Sequence, residues 1–550
     1  MRRLVSNTDD TFRVKAYAGT NGVLLAFDLD PSRKGGFLGF AIEQQEAGES
    51  WQWLLSSLTF AGKAHTIPKW GATPSNLAPI QKFRWADYSI KPGTTCKYRV
   101  HLVYAGQPAL GESLEVEVKT DDGRPQGHRV YFNRAVAASQ AFGRKFRDLD
   151  QQLEQRRKAK QKALPIEKWP AEPREWLENG LLDAILRFID QARDRTWALD
   201  VAIYEYELAA IVDAINAAHD RGVDVRVIYH AKKGDEQTSE NRKSLKKIPE
   251  ANKRGRVTSK IFHDKFIVLS KIQAGQRVPQ AVLCGSTNFT ENGVYRQANV
   301  VHEAQDQAVA TEYSKLFEFL WDKPEDVPAA RRWITRHNPI DPARSLFAGF
   351  SPRSGKADLG EFIRIINEAD KDLLFATAFK LPEDILNALL GQAHDAVLRY
   401  GIQNTASRIT GFHADRTAEF ATPALLSKGL EGWVKEGLRG QKGNLLVHTK
   451  VVVANFTTNC PTVISGSHNL SVPASNGNDE NYLIMRGDTD LADRYGLEIL
   501  RFYEHYRFRY YAKLLKLKQA KPLASDDSWA DDYYRPGHLK ESARLRFAGR

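Results

Sequence analysis

Two stretches 185 positions apart (448 − 263), KIFHDKFIVLS at 260–270 and NLLVHTKVVVANF at 444–456, each carry a His and a Lys two residues apart in an otherwise apolar run. Side chains at i and i+2 of an extended chain point to the same side, so His263 with Lys265, and His448 with Lys450, aim two polar groups together from what reads as a core strand. The triplet alone is uninformative, because His230 and His538 also begin His-x-Lys. Only the first two continue through a second apolar run into the same turn, CGSTNFT with Gly285, Ser286 and Asn288, and SGSHNLS with Gly466, Ser467 and Asn469. The distances from His to Gly, 22 (285 − 263) and 18 (466 − 448), differ by four residues, and KIQAGQRVPQ supplies them as a hairpin extension in the first copy. A chain that repeats strand, hairpin, strand and Gly-Ser-x-Asn contains a duplication.

The surroundings repeat as well. EWLENGLLDAILRFIDQA reads as an amphipathic helix, followed by the strand WALDVAIYE, a helix with Leu208, Ile211, Val212 and Ile215 at helical spacing, and the strand VDVRVIY. EFIRIINEA, DLLFATAF and the helix entered at Pro382 follow the same order. Helices alternating with strands predict an α/β layered fold. Residues 1–145 read instead as a β-sandwich, since ESLEVEVKT and YRVHLVY alternate with the period of half-buried strands. The expected division is a sandwich at 1–145, a charged helical linker at 146–173, α/β halves at 174–335 and 336–515, and a C-terminal tail at 516–550. Trp51 and Trp53 read as core-edge residues.

Three scattered cysteines in 550 residues, without CxxC spacing, argue against a disulfide framework or zinc knuckle and for a reducing compartment. No apolar stretch reaches membrane-span length, and the start lacks a secretory h-region; a cytoplasmic location is expected. The net charge is +12. Half of it lies between Ala231 and Lys260, with ten Lys or Arg against four Asp or Glu. Such a run is either a solvated face or a collar attracting phosphate, and it ends three residues before His263.

The motif residues form a coherent set for phosphoryl chemistry. A Gly-Ser turn allows close backbone approach and, with Ser and Asn side chains, offers donors to an anion. Lys265 and Lys450 supply positive charge for non-bridging oxygens. Of two histidines, one can attack phosphorus while the other protonates the leaving oxygen and then deprotonates water. No metal or other cofactor is required, and no metal-ligand cluster is evident.

The paired H-x-K…G-S-x-N halves resemble the phospholipase D superfamily, over roughly residues 175–515, and FRWADYSIKPGTTCKYRVHLVYAG…SLEVEVKT resembles a fibronectin type III or immunoglobulin-like module. The first resemblance implies a duplicated αβα sandwich whose motifs meet across a pseudo-twofold axis. It implies His263 as the nucleophile forming a phosphohistidine and His448 as general acid/base. Lys265, Lys450, Asn288 and Asn469 would hold the phosphate, with Ser286, Ser467, Gly285 and Gly466 lining the substrate. A carboxylate after the turn orients a histidine in that superfamily. Glu480 in NGNDENYLIM fits as the partner of His448; in the first half Ala298 falls opposite it if Asn299 matches Asn481, leaving Glu303 as a distant substitute. Ser270 and Asn455 stand where the longer motif has Asp, as in the tyrosyl-DNA phosphodiesterases, which also lack it. The expected function is a phosphodiesterase, with nucleic acid favoured by the basic collar. The alternatives are a phospholipase D acting on glycerophospholipids and a non-catalytic adaptor. Oligomeric state is left open.

Overall fold

The computed structural model describes residues 1–68, 71–106, 110–122, 127–135, 140–257, 260–405, 407–426 and 445–550. Two large mixed sheets dominate it, and their strand orders match. From edge to edge the first runs Gly127–Phe132, Val300–Gln305, Gln276–Gly285, Lys265–Gln273, Trp197–Ile203, Asp224–His230 and Lys253–Arg256. The second runs Leu346–Ser351, Glu480–Arg486, Thr462–Gly466, Val451–Ala454, Asp372–Thr377, Leu398–Gln403 and Ala418–Ala421, with Gly411–His413 added at the edge. Seven positions correspond one for one, and the parallel and antiparallel pairings correspond with them. The duplicated α/β architecture expected from the repeat is therefore present.

The helices divide by the faces they bury. Leu181–Asp190 and Ala209–Asp220 cover the outer face of the first sheet with Ile185, Phe188, Ile211 and Ile215. Ala357–Asn367 and Glu383–Leu390 cover the second with Phe362, Ile365, Ile385 and Leu389. Gln307–Asp322 and the long Thr489–Leu514 belong to the core shared by both sheets. The segment EWLENGLLDAILRFIDQA is two helices rather than one. Asn179 (φ 54°) and Gly180 (φ 86°) end Ala171–Glu178 in left-handed conformation before Leu181–Asp190 begins.

The N-terminal unit consists of two four-stranded antiparallel sheets, Arg2–Ser6/Phe12–Ala18/Val23–Leu29/Arg84–Asp87 and Ser113–Lys119/Thr95–Tyr104/Phe37–Glu46/Gln52–Trp53. Val116 and Val118 are buried while Glu115 and Glu117 face solvent, as their alternation requires. Its boundary lies earlier than 145. Gly127–Phe132 pairs antiparallel with Val300–Gln305 and closes an edge of the first α/β sheet, the place that Leu346–Ser351 takes in the second. The linker is packed: Leu149, Leu153, Ile166 and Trp169 join the outer core of the first half. The last residues are not a loose tail either. Trp529 Nε1 donates to the Phe37 carbonyl at 2.9 Å, Tyr534 Oη donates to that of Leu29 at 2.9 Å, and Arg544 pairs with Asp28. Phe547 packs against Tyr17 of the sandwich and Phe456 of the second half.

Candidate active site

The two histidines stand just before their strands, which begin at Lys265 and Val451. This differs from the expectation that they lie within them. Their backbones pair with the opposite half instead. His263 N donates to Asp479 O at 2.9 Å, and Asp479 N to Ile261 O at 3.0 Å. His448 N donates to Ala298 O at 2.9 Å, and Ala298 N to Leu446 O at 2.8 Å. These two bridges are images of each other, so the halves are joined by hydrogen bonds at the two His-x-Lys motifs themselves.

Both rings line one pocket of about 400 Å³, together with Asn288, Asn469, Tyr204, Glu205, Phe379 and Leu445. His263 Nδ1 donates to Glu480 Oε2 at 2.6 Å. Glu480, fully buried, also accepts from Ser467 Oγ at 2.6 Å and Asn478 Nδ2 at 2.9 Å. His448 Nδ1 lies 2.8 Å from Asn299 Oδ1, which accepts from Ser286 Oγ at 2.9 Å. Asn299 Nδ2 donates to Gly293 O at 2.9 Å, which leaves Oδ1 as the acceptor and makes His448 Nδ1 the donor. Each histidine therefore has its Nδ1 proton held by a residue of the other half, which leaves Nε2 as the unprotonated ring nitrogen.

This corrects the expected partnership: Glu480 orients His263, not His448, and Asn299 rather than Ala298 is its counterpart. A shared spacing carries the signal, since Ser286 to Asn299 and Ser467 to Glu480 are both 13 residues. Glu303 is not a substitute. It is buried away from the site and pairs with Arg129 at 3.3 Å. Ser286 and Ser467 hold the orienting residues and are fully buried. Gly285 and Gly466 are required for packing. A Cβ on either would stand 2.3 Å from a backbone oxygen, of Val300 and of Asn481 respectively, closer than any van der Waals contact. Ser270 is buried within the first sheet, and Asn455 accepts from the amides of Asp370 and Lys371 at 3.1 and 3.0 Å.

Lys265 Nζ donates to His263 O at 2.7 Å and Lys450 Nζ to His448 O at 2.6 Å; Lys450 Nζ is also 3.0 Å from His448 Nε2. Burial dominates the titration of all four cationic groups. It pushes His263 down to about 4 against the opposing pull of Glu480, and Lys265 down to about 8. His448 falls well below its ordinary value through burial and then Lys450, and Lys450 falls through burial and then Lys265. Glu480 is raised by burial but held below the usual carboxylate range by His263. A site whose cations are driven toward neutrality is one that an incoming anion recharges.

The walls differ. Glu205, which follows the Trp197–Ile203 strand, accepts from Asn288 Nδ2, and Glu207, Glu236 and Glu240 extend the acidic side. The lining also carries Phe379, 43% exposed, whose ring meets His448 edge-on at 6.2 Å. The basic collar does not face this pocket as a unit. Arg256 is buried on Asp479 with contacts of 2.9 and 3.0 Å, Lys253 donates to the carbonyls of Leu245 and Ile248, and Arg254 stacks on Trp321. Arg242, Lys243, Lys246 and Lys247 remain exposed. Among the described residues no group of three or more potential metal ligands is found, and no helix is long and apolar enough to cross a membrane.

Residues 185–321 match the family model described as cardiolipin synthase, PLD-like domain. No curated protein matches the chain. Among solved structures it is similar to polyphosphate kinase from Porphyromonas gingivalis, at 13% identity and TM-score 0.38, over 55% of this chain and 46% of that one. It thus spans less than half the length of that kinase. It is also similar to phosphatidylserine synthase from Haemophilus influenzae Rd KW20, at 11% identity and TM-score 0.42, over 68% and 94%. Nuc from Salmonella typhimurium, a phospholipase D family member, is 21% identical with TM-score 0.21, over 26% and 86%. The likeness to a PLD-like domain thus lies in residues 185–321, within the first α/β half.

Proposed function

We propose that the chain is a phosphodiesterase that works by double displacement through a phosphohistidine, with His263 as nucleophile and His448 as general acid/base. The observation that carries this reading is the pair of imidazoles on one pocket, each presenting Nε2 while its Nδ1 is held from the opposite half. In the first step His448, recharged at Nε2 as the anionic diester enters, gives that proton to the departing oxygen while His263 Nε2 bonds to phosphorus and the P–O bond to the leaving group breaks. In the second, water adds to phosphorus as the N–P bond breaks, and its proton returns to His448. Glu480 supports the role of His263, because the ring gains positive charge as it bonds to phosphorus and a carboxylate stabilises that charge better than an amide. Lys265, Lys450, Asn288 and Asn469 would neutralise and hold the phosphoryl oxygens.

Of the substrate classes expected from sequence, the walls favour a phospholipid-type diester over a nucleic-acid strand. A strand would set further phosphates against Glu205, Glu207, Glu236 and Glu240, whereas an apolar substituent suits Phe379 and Leu445. The exposed Arg242, Lys243, Lys246 and Lys247 support nucleic acid as the second reading. The N-terminal sandwich, with its fibronectin-like resemblance, is proposed as a module packed beside the catalytic pair. The test is a panel of phosphatidylcholine vesicles and single- and double-stranded DNA, incubated with EDTA and either wild type or His263→Ala. Head-group release with a covalent adduct on His263 is expected. Cleavage of DNA alone would move the substrate to nucleic acid, and binding without turnover, equal in both proteins, would leave an adaptor.

A further inference from the structure

The helix Thr489–Leu514 is buried through its middle, where Tyr495, Leu500, Tyr503 and Tyr506 join the shared core. Its end is different. Leu514, Leu515 and Leu517 are 59%, 63% and 40% exposed. Three of the nine strongly exposed large apolar side chains among the described residues thus fall within four positions, so this is a local cluster rather than ordinary scatter. Exposed Lys513, Lys516, Lys518 and Lys521 interleave with them. From His505 to Ser525 the chain has six Lys or Arg and no Asp or Glu.

Leucines in water are an unfavourable surface, and lysines between them repel one another. Both costs are relieved by a partner that is apolar beneath and anionic above. Leucines can enter the acyl boundary of a bilayer while lysine stems run up its side and keep their ammonium groups among the head groups. A nucleic acid would satisfy the lysines and leave the leucines wet.

The position suits that partner. The helix crosses the second sheet, passing Tyr400 at Tyr503 and its register partner Glu419 at Arg507, and meets Leu426, five residues past Ala418–Ala421, at Ala512. Leu398–Gln403 and Ala418–Ala421 lie parallel in one direction with Asp372–Thr377, which leads to Phe379 in the pocket. We infer that residues 513–521 dock the protein on an anionic bilayer surface. The inference stands on the exposed cluster and not on the phosphodiesterase reading.

The test is co-sedimentation of the full chain with vesicles of phosphatidylcholine alone and of phosphatidylcholine with about one third phosphatidylserine. The wild type and His263→Ala should partition alike onto the anionic vesicles, which separates docking from catalysis. Leu514→Ser/Leu515→Ser/Leu517→Ser should lose binding by about tenfold or more. Lys513→Gln/Lys518→Gln should lose about fivefold per lysine, with thermal melting unchanged because all five positions are exposed. Should the triple variant not fold, Leu515→Trp gives a second reading, its fluorescence shifting blue and being quenched by brominated lipid only on anionic vesicles. No partition of wild type, equal partition onto both vesicles, or full binding by the leucine variant overturns the inference. So does binding of a single-stranded oligonucleotide that the lysine changes abolish while vesicles are not bound.

Discussion

Replacing Glu480 by Gln keeps the size of the side chain and removes its charge, and the structure permits an estimate of the result. The carboxylate accepts three hydrogen bonds, from His263 Nδ1 and Ser467 Oγ at 2.6 Å and from Asn478 Nδ2 at 2.9 Å. An amide offers one oxygen to these donors and turns its NH2 on another donor. A hydrogen bond to a charged group contributes about 1.5–3 kcal/mol, and the portion that matters for rate is the part that grows as His263 becomes cationic. Taking about 2 kcal/mol for that portion gives a slowing of about thirtyfold in formation of the covalent adduct. The assay is rapid quench with mass-spectrometric counting of phosphorylated His263, beside the melting temperature of the variant. Unchanged adduct formation would mean that Glu480 is structural, and an adduct on His448 would reverse the two roles.

Three further outcomes follow from the same geometry. Asp479→Ala leaves Arg256 buried without its bidentate partner and should lower stability by about 3–5 kcal/mol in urea titrations, whereas Asp479→Leu with Arg256→Met should recover most of the loss. Gly466→Ala drives a Cβ to 2.3 Å from Asn481 O; overpacking of about 1–3 kcal/mol is expected, together with reduced turnover as Ser467 is moved off Glu480. His263 is held at about 4 by burial, below its ordinary 6.5. The unfolded chain therefore binds the extra proton between pH 6.5 and 4, and stability falls as pH drops through that window, by about 3 kcal/mol at pH 4. Urea midpoints of wild type and His263→Gln at pH 8 and pH 4 should differ by that contribution, and parallel behaviour would refute it.

The duplication, the alternation of helices with strands and the meeting of His263 with His448 were legible because they depend on local pattern repeated twice. Val116 and Val118 against Glu115 and Glu117 are a similar case in the sandwich. What escaped were properties of the assembled molecule. The partner of His263 lies 217 residues away, and nothing local distinguishes Glu480 as serving the other half; only the equal 13-residue spacing from each Ser hinted at Asn299. The Gly127–Phe132 strand reads like the sandwich strands before it, since alternation does not say which sheet a strand will join. The charge excess at 231–260 was real as a count. Its counter-charges and stacking partners, Asp479 for Arg256 and Trp321 for Arg254, come from remote parts of the chain.

The exchange of orienting groups between the copies has an evolutionary price. With Glu480 serving the ring at 263 and Asn299 the ring at 448, neither duplicate by itself holds the oriented histidine pair that the proposed chemistry uses. Splitting the gene between them should yield fragments that are inert singly and regain turnover only on re-association, and drift in one copy is answerable to the other for as long as the chemistry is selected.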